Sequence, residues 1–495
     1  MGDPQGELLR RDTVVLRPDS RRVIVKLFLP GQELLARGMS RAQLVLHRVI
    51  ALDDDEVDRQ LAGLRADFGP RHPDIDSTFA EHFELVAHQL PNPAALSPAR
   101  RALVGAFSTQ EFAVEAAALF NPSMVAHSDQ RRVAPGDLRF VMSARAVGEG
   151  HISCVVFRTG VITRTGVVVD EPGPLLGTGR TSASLVSREF VREALGKDET
   201  EHSDPVLRLL RRYFAVNHLD IAAEALHQQH DELRHAQQAI ERIREIAAGH
   251  YRLTFAKNRT ITERVIYPTS AGERQGLEDV RLTRFVEKNG AVSYLGTYTA
   301  FDGSHISPRM LRTKDFRVFE MTPLAGAAAL DKGMALFPRA VGGRYYALAR
   351  WDRESLCLAV SDDRYVWDQH AVLAVPARPW EVIQLGNCGP PIETPRGWLV
   401  LTHGVGAMRV YRIGALLLDL DDPSRVIASL DEPLLEPDAD ERDGYVPNVV
   451  YSCGALAHGD MLVLPYGCSD SSIRFGYVDL PELLDRMRPV PLDGG

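Results

Sequence analysis

Ionisable side chains stand at the ends of repeated strand segments in this sequence. Five segments share one pattern, an apolar strand, a polar turn and a second apolar strand; they are residues 139–157, 293–311, 344–360, 397–412 and 461–478. Their strand ends carry groups that can bind anions, move protons or accept hydrogen bonds, namely Arg145, Asp302, Arg350, His403 and Asp470. Packing alone does not explain different ionisable residues at equivalent positions, so we predict a shared polar site.

A second set of reactive residue types lies in residues 276–281 (GLEDVR), where two neighbouring carboxylates precede an arginine. A second carboxylate raises the pKa of its neighbour and a guanidinium lowers it, so Glu278 and Arg281 can set the ionisation of Asp279. A salt bridge within a turn accounts for the same three residues without any chemistry. The residues alone leave both interpretations open.

The repetition also predicts the elements that must position these side chains. The starts of the last four segments are separated by about 50 to 65 residues, a period that indicates propeller blades built from small antiparallel sheets. The inner strands of a propeller converge on a central channel, where their ends would meet. The sequence therefore predicts a mainly β protein, a five-bladed β-propeller, with two additions of different pattern.

These additions are helical. Residues 1–119 are predicted to form a mainly helical N-terminal unit, in which residues 12–30 alternate like a small β-hairpin. The propeller of residues 120–480 is interrupted by a helical hairpin within residues 180–252, and residues 481–495 form a C-terminal helix and tail. The hairpin could pack on its own chain or on a second copy, so a homo-oligomer stays open.

Composition restricts the class of protein. The chain has 495 residues, a formal net charge of −9 and 45% hydrophobic residues, which is typical of a soluble globular protein and gives no support to a nucleic-acid or membrane partner. Its five cysteines are scattered and odd in number, which favours a reducing compartment over a disulfide framework. With no apolar leader at the N-terminus, we expect a cytoplasmic protein. No metal or organic cofactor is expected.

Four motifs in this sequence resemble those of glycoside hydrolase family 130, the mannoside phosphorylases and mannosidases with a five-bladed propeller. The motifs are residues 276–281 (GLEDVR), 332–339 (KGMALFPR), 397–405 (GWLVLTHGV) and 466–470 (YGCSD). Val280 stands where the family usually has proline. The resemblance covers roughly residues 120–165 and 255–480, so the N-terminal unit and the helical insertion lie outside the family core.

The resemblance implies a role for each matching residue. Asp279 is expected to be the general acid of an inverting cleavage, which in this family passes its proton through a hydroxyl of the bound mannosyl unit. Phosphate is expected at Lys332, Arg350 and His403. The expected sugar-binding residues are Asn121, Arg145, Glu278, Arg281, Asp302 and Asp470.

The attacking group decides between two enzymatic interpretations. Phosphate needs several fixed donors, whereas water needs a carboxylate base. The three nitrogen-bearing side chains favour inverting phosphorolysis of a β-mannoside to α-mannose 1-phosphate and a shortened acceptor, with inorganic phosphate as co-substrate and a mannose-containing oligosaccharide as substrate. A β-mannosidase would take its base from Glu278, Glu441 or Asp443. A non-catalytic propeller that serves as an interaction platform is the third interpretation. Linkage, acceptor and donor sugar stay open.

Overall fold

The computed structural model describes residues 8–31, 39–173, 175–227 and 233–490. The chain divides into two compact units. The smaller unit comprises Asp19–Ala116 and Gly173–Gly177, and the larger unit comprises the rest of the chain. Short 3-10 turns lie at Ala87–Gln89, Pro93–Ala95, Glu149–His151, Ile261–Glu263, Ala271–Glu273, Ala407–Arg409 and Ala439–Glu441.

The first strand, β1 (Leu9–Leu16), belongs to the larger unit, and the smaller unit follows it in the chain. The elements of the smaller unit are β2 (Val23–Leu27), α1 (Arg41–Ile50), α2 (Asp54–Phe68), α3 (Ile75–Val86), α4 (Pro98–Phe107) and β3 (Thr109–Ala113). Ser40, Asp53 and Ser97 cap their helices, since each side chain accepts a hydrogen bond from the backbone N–H three residues on. The apolar helix faces bury a common core that includes Leu46 and Phe83.

The predicted hairpin at residues 12–30 is wrong. Strand β2 pairs antiparallel with β3, from Val23 opposite Ala113 to Leu27 opposite Thr109, and β1 pairs elsewhere. The alternating pattern correctly indicates extended strands, but alternation specifies which face of a strand is buried and not which strand lies beside it.

A first group of antiparallel strands opens the main part of the larger unit. It consists of β4 (Ala118–Ala126), β5 (Leu138–Val147), β6 (Ser153–Ile162) and β7 (Val167–Val169), each paired with the next. The pairing of β4 with β5 shifts register between Phe120 and Ser123. Such a shift is a β-bulge, which bends the strand and turns a side chain out of the regular alternation.

The described residues of the insertion form three helices, one more than the predicted helical hairpin. Its elements and the strands after it are β8 (Gly177–Thr178), β9 (Arg180–Ala183), β10 (Val186–Ser187), α5 (Arg188–Leu209), β11 (Tyr213–Phe214), α6 (His218–His227), α7 (Leu233–Ala248), β12 (Tyr251–Thr254) and β13 (Arg264–Ile266). The additional helix is α5, whose apolar spacing is broken by Gly196 at a positive φ of 72° and by Pro205. The connection at residues 228–232 lies outside the described residues. Helices α5 and α7 share a buried core that includes Val191, Leu207 and Ile243.

Two further groups of antiparallel strands follow. The second consists of β14 (Gly276–Val286), β15 (Val292–Phe301), β16 (Ile306–Thr313) and β17 (Val318–Pro323), and the third of β18 (Ala335–Leu336), β19 (Tyr345–Ala349), β20 (Leu356–Ser361) and β21 (Gln369–Ala374). Strands β12 and β9 extend the second group beyond β17, so the strands that flank the insertion are part of that sheet. The pairing of β14 with β15 shifts register between Glu278 and Arg281.

The last two groups complete the chain. The fourth group consists of β22 (Gln384–Asn387), β23 (Ile392–Thr394), β24 (Gly397–Val405), β25 (Tyr411–Leu418) and β26 (Val426–Ser429). The fifth group consists of β27 (Val450–Tyr451), β28 (Leu456–His458), β29 (Met461–Cys468) and β30 (Ser472–Asp479). Helix α8 (Leu480–Arg486) follows β30, and β31 (Arg488–Pro489) pairs with β26 of the fourth group. Strand β1 pairs with β30, so the first strand of the larger unit joins a sheet formed by strands from near the other end of the chain. The predicted mainly β fold is confirmed. Within the described part of the chain, no helix has the length and apolar character needed to span a membrane.

Candidate active site

Three of the predicted site residues have a backbone conformation that residues other than glycine rarely adopt. Asn121, Asp279 and Asp470 have φ angles of 49°, 55° and 50°. Asn121 and Asp279 lie within the register shifts of β4 and β14, and Asp470 lies in the turn between β29 and β30. A positive φ costs a residue other than glycine on the order of 1–3 kcal/mol, and such strain concentrates at functional sites. The bulges therefore mark positions where the strands aim polar groups away from the sheet.

Asp279 is the centre of a group that we call the acid cluster: Asn121, Arg145, Glu278 and Asp279. Asn121 Nδ2 donates to Asp279 Oδ1 at 2.8 Å, and Arg145 Nη1 lies 3.4 Å from the same oxygen. Burial tends to raise the pKa of Asp279, but the guanidinium groups of Arg145 and Arg281 outweigh burial and hold that pKa below its ordinary value. Without a bound substrate, the Asp279 carboxyl group is therefore ionised.

Glu278 connects the acid cluster to Lys332. One carboxylate oxygen of Glu278 accepts from Arg145 Nη2 at 2.8 Å, and the other accepts from Lys332 Nζ at 2.6 Å. Arg145 is oriented from behind by Ser153, whose Oγ accepts from its Nε at 2.9 Å. Glu278 is thus held by two cations, and it brings Lys332 next to Asp279.

A second group, the anion cluster, consists of Lys332, Arg350 and His403. Arg350 Nη1 lies 3.2 Å from His403 Nε2, and His403 Nδ1 lies 3.1 Å from the backbone oxygen of Asn387. A carbonyl oxygen can only accept, so Nδ1 carries the proton and Nε2 accepts from Arg350. Burial and the positive charge of Arg350 lower the pKa of His403 well below its usual value, so the ring is neutral.

The close approach of Arg350 to His403 depends on a glycine. A methyl group at Gly386 would lie 2.6 Å from His403 Cε1 and 3.4 Å from Arg350 Cδ. Gly386 pairs with His403 across β22 and β24, so any larger residue would push the imidazole away. The glycine therefore sets the position of the ring.

Arg281 and Tyr451 form one wall of the site. Arg281 Nη1 donates to the backbone oxygen of Asp279 at 3.2 Å, and its Nη2 donates to Tyr451 Oη at 2.8 Å. The Tyr451 ring packs edge-on against His403, with ring centroids 4.9 Å apart. Arg281 therefore links the loop that carries the acid to the aromatic side chain behind the anion cluster.

Asp470 is a second carboxylate within electrostatic reach of Asp279. Burial, together with the negative charge of Asp279, raises the pKa of Asp470 to about 6. Its strained turn is supported from behind: Ser469 Oγ donates to the backbone oxygen of Glu441 at 2.7 Å. The Glu441 side chain in turn accepts from Tyr466 Oη at 2.7 Å and lies 3.4 Å from Arg11 on β1.

The structure does not bring Asp302 into either cluster. Asp302 lies in the turn between β15 and β16, where its Oδ1 accepts from the backbone N–H groups of Ser304 and His305 and from Ser304 Oγ. These contacts all stay within the turn, so this position stabilises a hairpin connection. An aspartate whose side chain accepts from backbone N–H groups two and three residues later is typical of a turn. The role of Asp302 in the turn therefore explains its position at a strand end better than a role in the site does.

Three residues that contribute to the candidate site were not identified from the sequence. Gln384 Nε2 lies 2.9 Å from His403 Nε2, Tyr451 holds Arg281, and Asn387 supplies the carbonyl that fixes the tautomer of His403. Gln384 and Asn387 both lie in a Gly/Pro-rich segment, residues 384–392 (QLGNCGPPI). The polar residues in this segment were the one indication of a role in the site. They could not be assigned from the sequence because their partner, His403, lies on another strand.

Comparisons with known proteins identify similar sequences. A family model described as beta-1,4-mannooligosaccharide phosphorylase matches residues 235–489. The chain is 39% identical over 155 residues to a 1,2-beta-oligomannan phosphorylase of Thermoanaerobacter sp. (strain X514), an alignment that covers 31% of this chain and 52% of that protein. It is 32% identical over 229 residues to a beta-1,2-mannobiose phosphorylase of Listeria innocua serovar 6a, with 45% and 63% covered.

A third relative, a beta-1,2-mannobiose phosphorylase of Thermoanaerobacter sp. (strain X514), is 36% identical over 217 residues, with 42% of this chain and 68% of that protein covered. The chain thus spans about half to two thirds of the length of these curated relatives. Among solved structures, the Listeria innocua beta-1,2-mannobiose phosphorylase in complex with beta-1,2-mannobiose matches with a TM-score of 0.45 and 22% identity, covering 76% of this chain and 92% of that one.

Proposed function

Because the chain belongs to glycoside hydrolase family 130, we propose that it cleaves a β-mannoside by inverting phosphorolysis, which gives α-mannose 1-phosphate and a shortened acceptor. One observation carries this proposal: a partly buried carboxylate, Asp279, whose side chain is 15% exposed, lies within electrostatic reach of both Lys332 and His403. An acid and an anion-binding group in one site are the two parts that inverting phosphorolysis needs.

We also infer that the five strand groups are the blades of a five-bladed propeller. Each group contains a run of antiparallel strands, and the pairing of β1 with β30 joins the first strand of the larger unit to the last group. Closure of the last blade by a strand from the other end of the chain is a usual way to avoid an open sheet edge in such folds. The site residues come from several groups, as expected for a central channel.

The charges explain how phosphate and acid would work together. In the free site, the cations around Asp279 favour its ionised form, which cannot donate a proton. A phosphate dianion bound at Lys332 and Arg350 would offset this positive charge and raise the pKa of Asp279 toward protonation. Phosphate binding would thus prepare the acid as well as supply the nucleophile.

In the proposed step, a phosphate oxygen attacks the anomeric carbon from the face opposite to the leaving group. The bond from that carbon to the glycosidic oxygen breaks and a bond to the phosphate oxygen forms. A hydroxyl of the mannosyl unit gives its proton to the departing oxygen and takes the proton of Asp279 in its place. Asn121 and Arg145 hold Asp279 in the site. The mannosyl unit would lie between the two clusters, within reach of Arg145.

Water as the nucleophile has weaker support among the three bases named above. Glu278 is held by two cations, and Glu441 is buried against Tyr466 and Arg11. Asp443 is exposed. Asp470 is the carboxylate that would serve a hydrolase, because a pKa raised to about 6 suits a general base.

Product analysis tests the proposal. The purified protein is incubated with β-1,2- or β-1,4-linked mannobiose, with and without inorganic phosphate. Mannose 1-phosphate that forms only with phosphate is the expected result. Free mannose formed equally well without phosphate would make the protein a β-mannosidase and direct attention to Asp470.

A further inference from the structure

Asn387 presents a buried side chain without a hydrogen-bond partner. Its residue exposure is 1%, and neither Oδ1 nor Nδ2 makes a hydrogen bond to another protein group. Both carboxamide atoms lack partners, so exchanging oxygen and nitrogen would not satisfy them. An unpaired buried polar group is costly to a folded protein, so such a residue calls for a ligand or a functional reason.

The carboxamide lies at the anion cluster. A methyl group at Gly333, the residue after Lys332, would be 3.6 Å from Asn387 Oδ1 and 3.8 Å from Arg350 Cβ. The backbone oxygen of Asn387 also holds His403 Nδ1. Asn387 therefore contacts His403 through its backbone oxygen, and its side chain lies beside Gly333, which follows Lys332 in the chain and is itself close to Arg350.

The anion cluster lacks an acceptor that a carboxamide could supply. Lysine and arginine only donate, and His403 Nε2 already faces Arg350 and Gln384. Phosphate near neutral pH keeps at least one P–O–H group, which needs an acceptor, besides oxygens that need donors. A carboxamide offers one acceptor and two donors side by side.

We propose that the Asn387 carboxamide completes the anion site and selects protonated tetrahedral oxyanions, phosphate and arsenate, over sulfate. Its Oδ1 would accept from the P–O–H group, and its Nδ2 would donate to a second phosphate oxygen. Sulfate has no proton near neutral pH, so its oxygen would face Oδ1 and repel it. This inference rests on the proposed function, since it assigns phosphate to the same site.

The substitution Asn387→Leu tests this assignment, because leucine has the same number of side-chain heavy atoms and the same branching at Cγ but no hydrogen-bonding atoms. The KM for phosphate is measured at saturating mannobiose, the KM for mannobiose at saturating phosphate, and sulfate is tested as a competitor of phosphate. We expect the phosphate KM to rise about 10-fold or more, the loss of one buried hydrogen bond to a charged group. The mannobiose KM should stay within about 2-fold, and the preference for phosphate over sulfate should fall about 10-fold.

Ser293→Ala is the matched control. Ser293 also has a buried hydroxyl without a partner, but it lies at the start of β15, opposite Phe285. This control should leave both KM values unchanged. An unchanged phosphate-to-sulfate preference in Asn387→Leu would overturn the proposal, and so would an equal rise in both KM values, which would assign Asn387 to the sugar.

Wild-type protein gives a second test that does not depend on folding of the variant. Thermal unfolding is followed with phosphate, arsenate or sulfate at equal ionic strength. Phosphate and arsenate should raise the Tm more than sulfate does, and an equal rise with sulfate would contradict the selection. If the wild type cleaves no mannobiose but still prefers phosphate over sulfate in this assay, the proposed function fails while the anion selection stands.

Discussion

Gly386→Ala should reduce the use of phosphate without unfolding the protein. The added methyl group would lie 2.6 Å from His403 Cε1 and 3.0 Å from its Nε2. Comfortable contacts between carbon atoms are about 3.5–4.0 Å, so the imidazole must move by about 1 Å. Such a movement breaks or lengthens the 3.2 Å contact between His403 and Arg350.

Two magnitudes follow from this displacement. Misplacing a catalytic group by about 1 Å can cost on the order of 100-fold in rate, so kcat/KM for phosphate should fall by about that factor. Overpacking of a buried contact costs about 1–3 kcal/mol, which in a protein of this size lowers the Tm by only several degrees. The variant should therefore stay folded while losing most of its turnover.

Initial rates with varied phosphate, together with a thermal unfolding curve, measure both effects. Gly63→Ala is a matched control, since Gly63 lies in α2 and a methyl group there meets nothing within 4 Å. It should raise stability by about 0.5–1 kcal/mol, because alanine favours helix more than glycine does, and leave activity unchanged. A folded Gly386→Ala protein with the wild-type kcat/KM for phosphate would refute the argument that this glycine sets the position of His403.

Three further predictions concern the charged groups. Asp279→Asn should fold normally and lose about 100-fold or more of kcat, since it removes the proton donor; wild-type turnover, measured by mannose 1-phosphate release, would remove Asp279 from that role. Lys332→Ala and Arg350→Ala should each raise the phosphate KM far more than the mannobiose KM, and equal effects on both would assign these side chains to the sugar or the fold. Asp470 has a raised pKa, so its contribution to stability is present at low pH and is lost as the pH rises from about 3.8 through about 6. Asp470→Asn should lack this loss when the Tm of both proteins is measured between pH 4 and 7. Parallel Tm curves for the two proteins would contradict the raised pKa of Asp470.

The sequence indicated candidate site residues but not their partners. Glu278, Asp279 and Arg281 could be recognised because they are neighbours in the chain, and Lys332 because its motif resembles a known one. The contacts of Lys332 with Glu278 and of Arg350 with His403 join positions 54 and 53 residues apart, and local patterns carry no information on such pairs. Asn387 was not identified from the sequence for the same reason, since its contact with His403 joins two separate strands.

The differences in the fold have equally local causes. Strand alternation indicated β1 and β2 but not their partners, and the broken apolar spacing of α5 hid a helix that tertiary packing stabilises. Asp302 shows the opposite case, since its position at a strand end suggested function while its neighbours formed a turn. The interactions that determine these features join residues that are either a few positions apart, as in the Asp302 turn, or hundreds of positions apart, as in the pairing of β1 with β30.

The pairing of β1 with β30 has a consequence for how the protein is made. Arg11 on β1 reaches Glu441 across 430 positions, and Glu441 supports the turn that holds Asp470. During synthesis from the N-terminus, β1 must therefore wait for its partner until β30 has been translated. Contacts between such distant segments slow folding, so the group of strands that contains β1 and β30 should be the last to form. Asp470 would reach its place only when β30 has paired with β1, so the candidate site would be completed after that pairing.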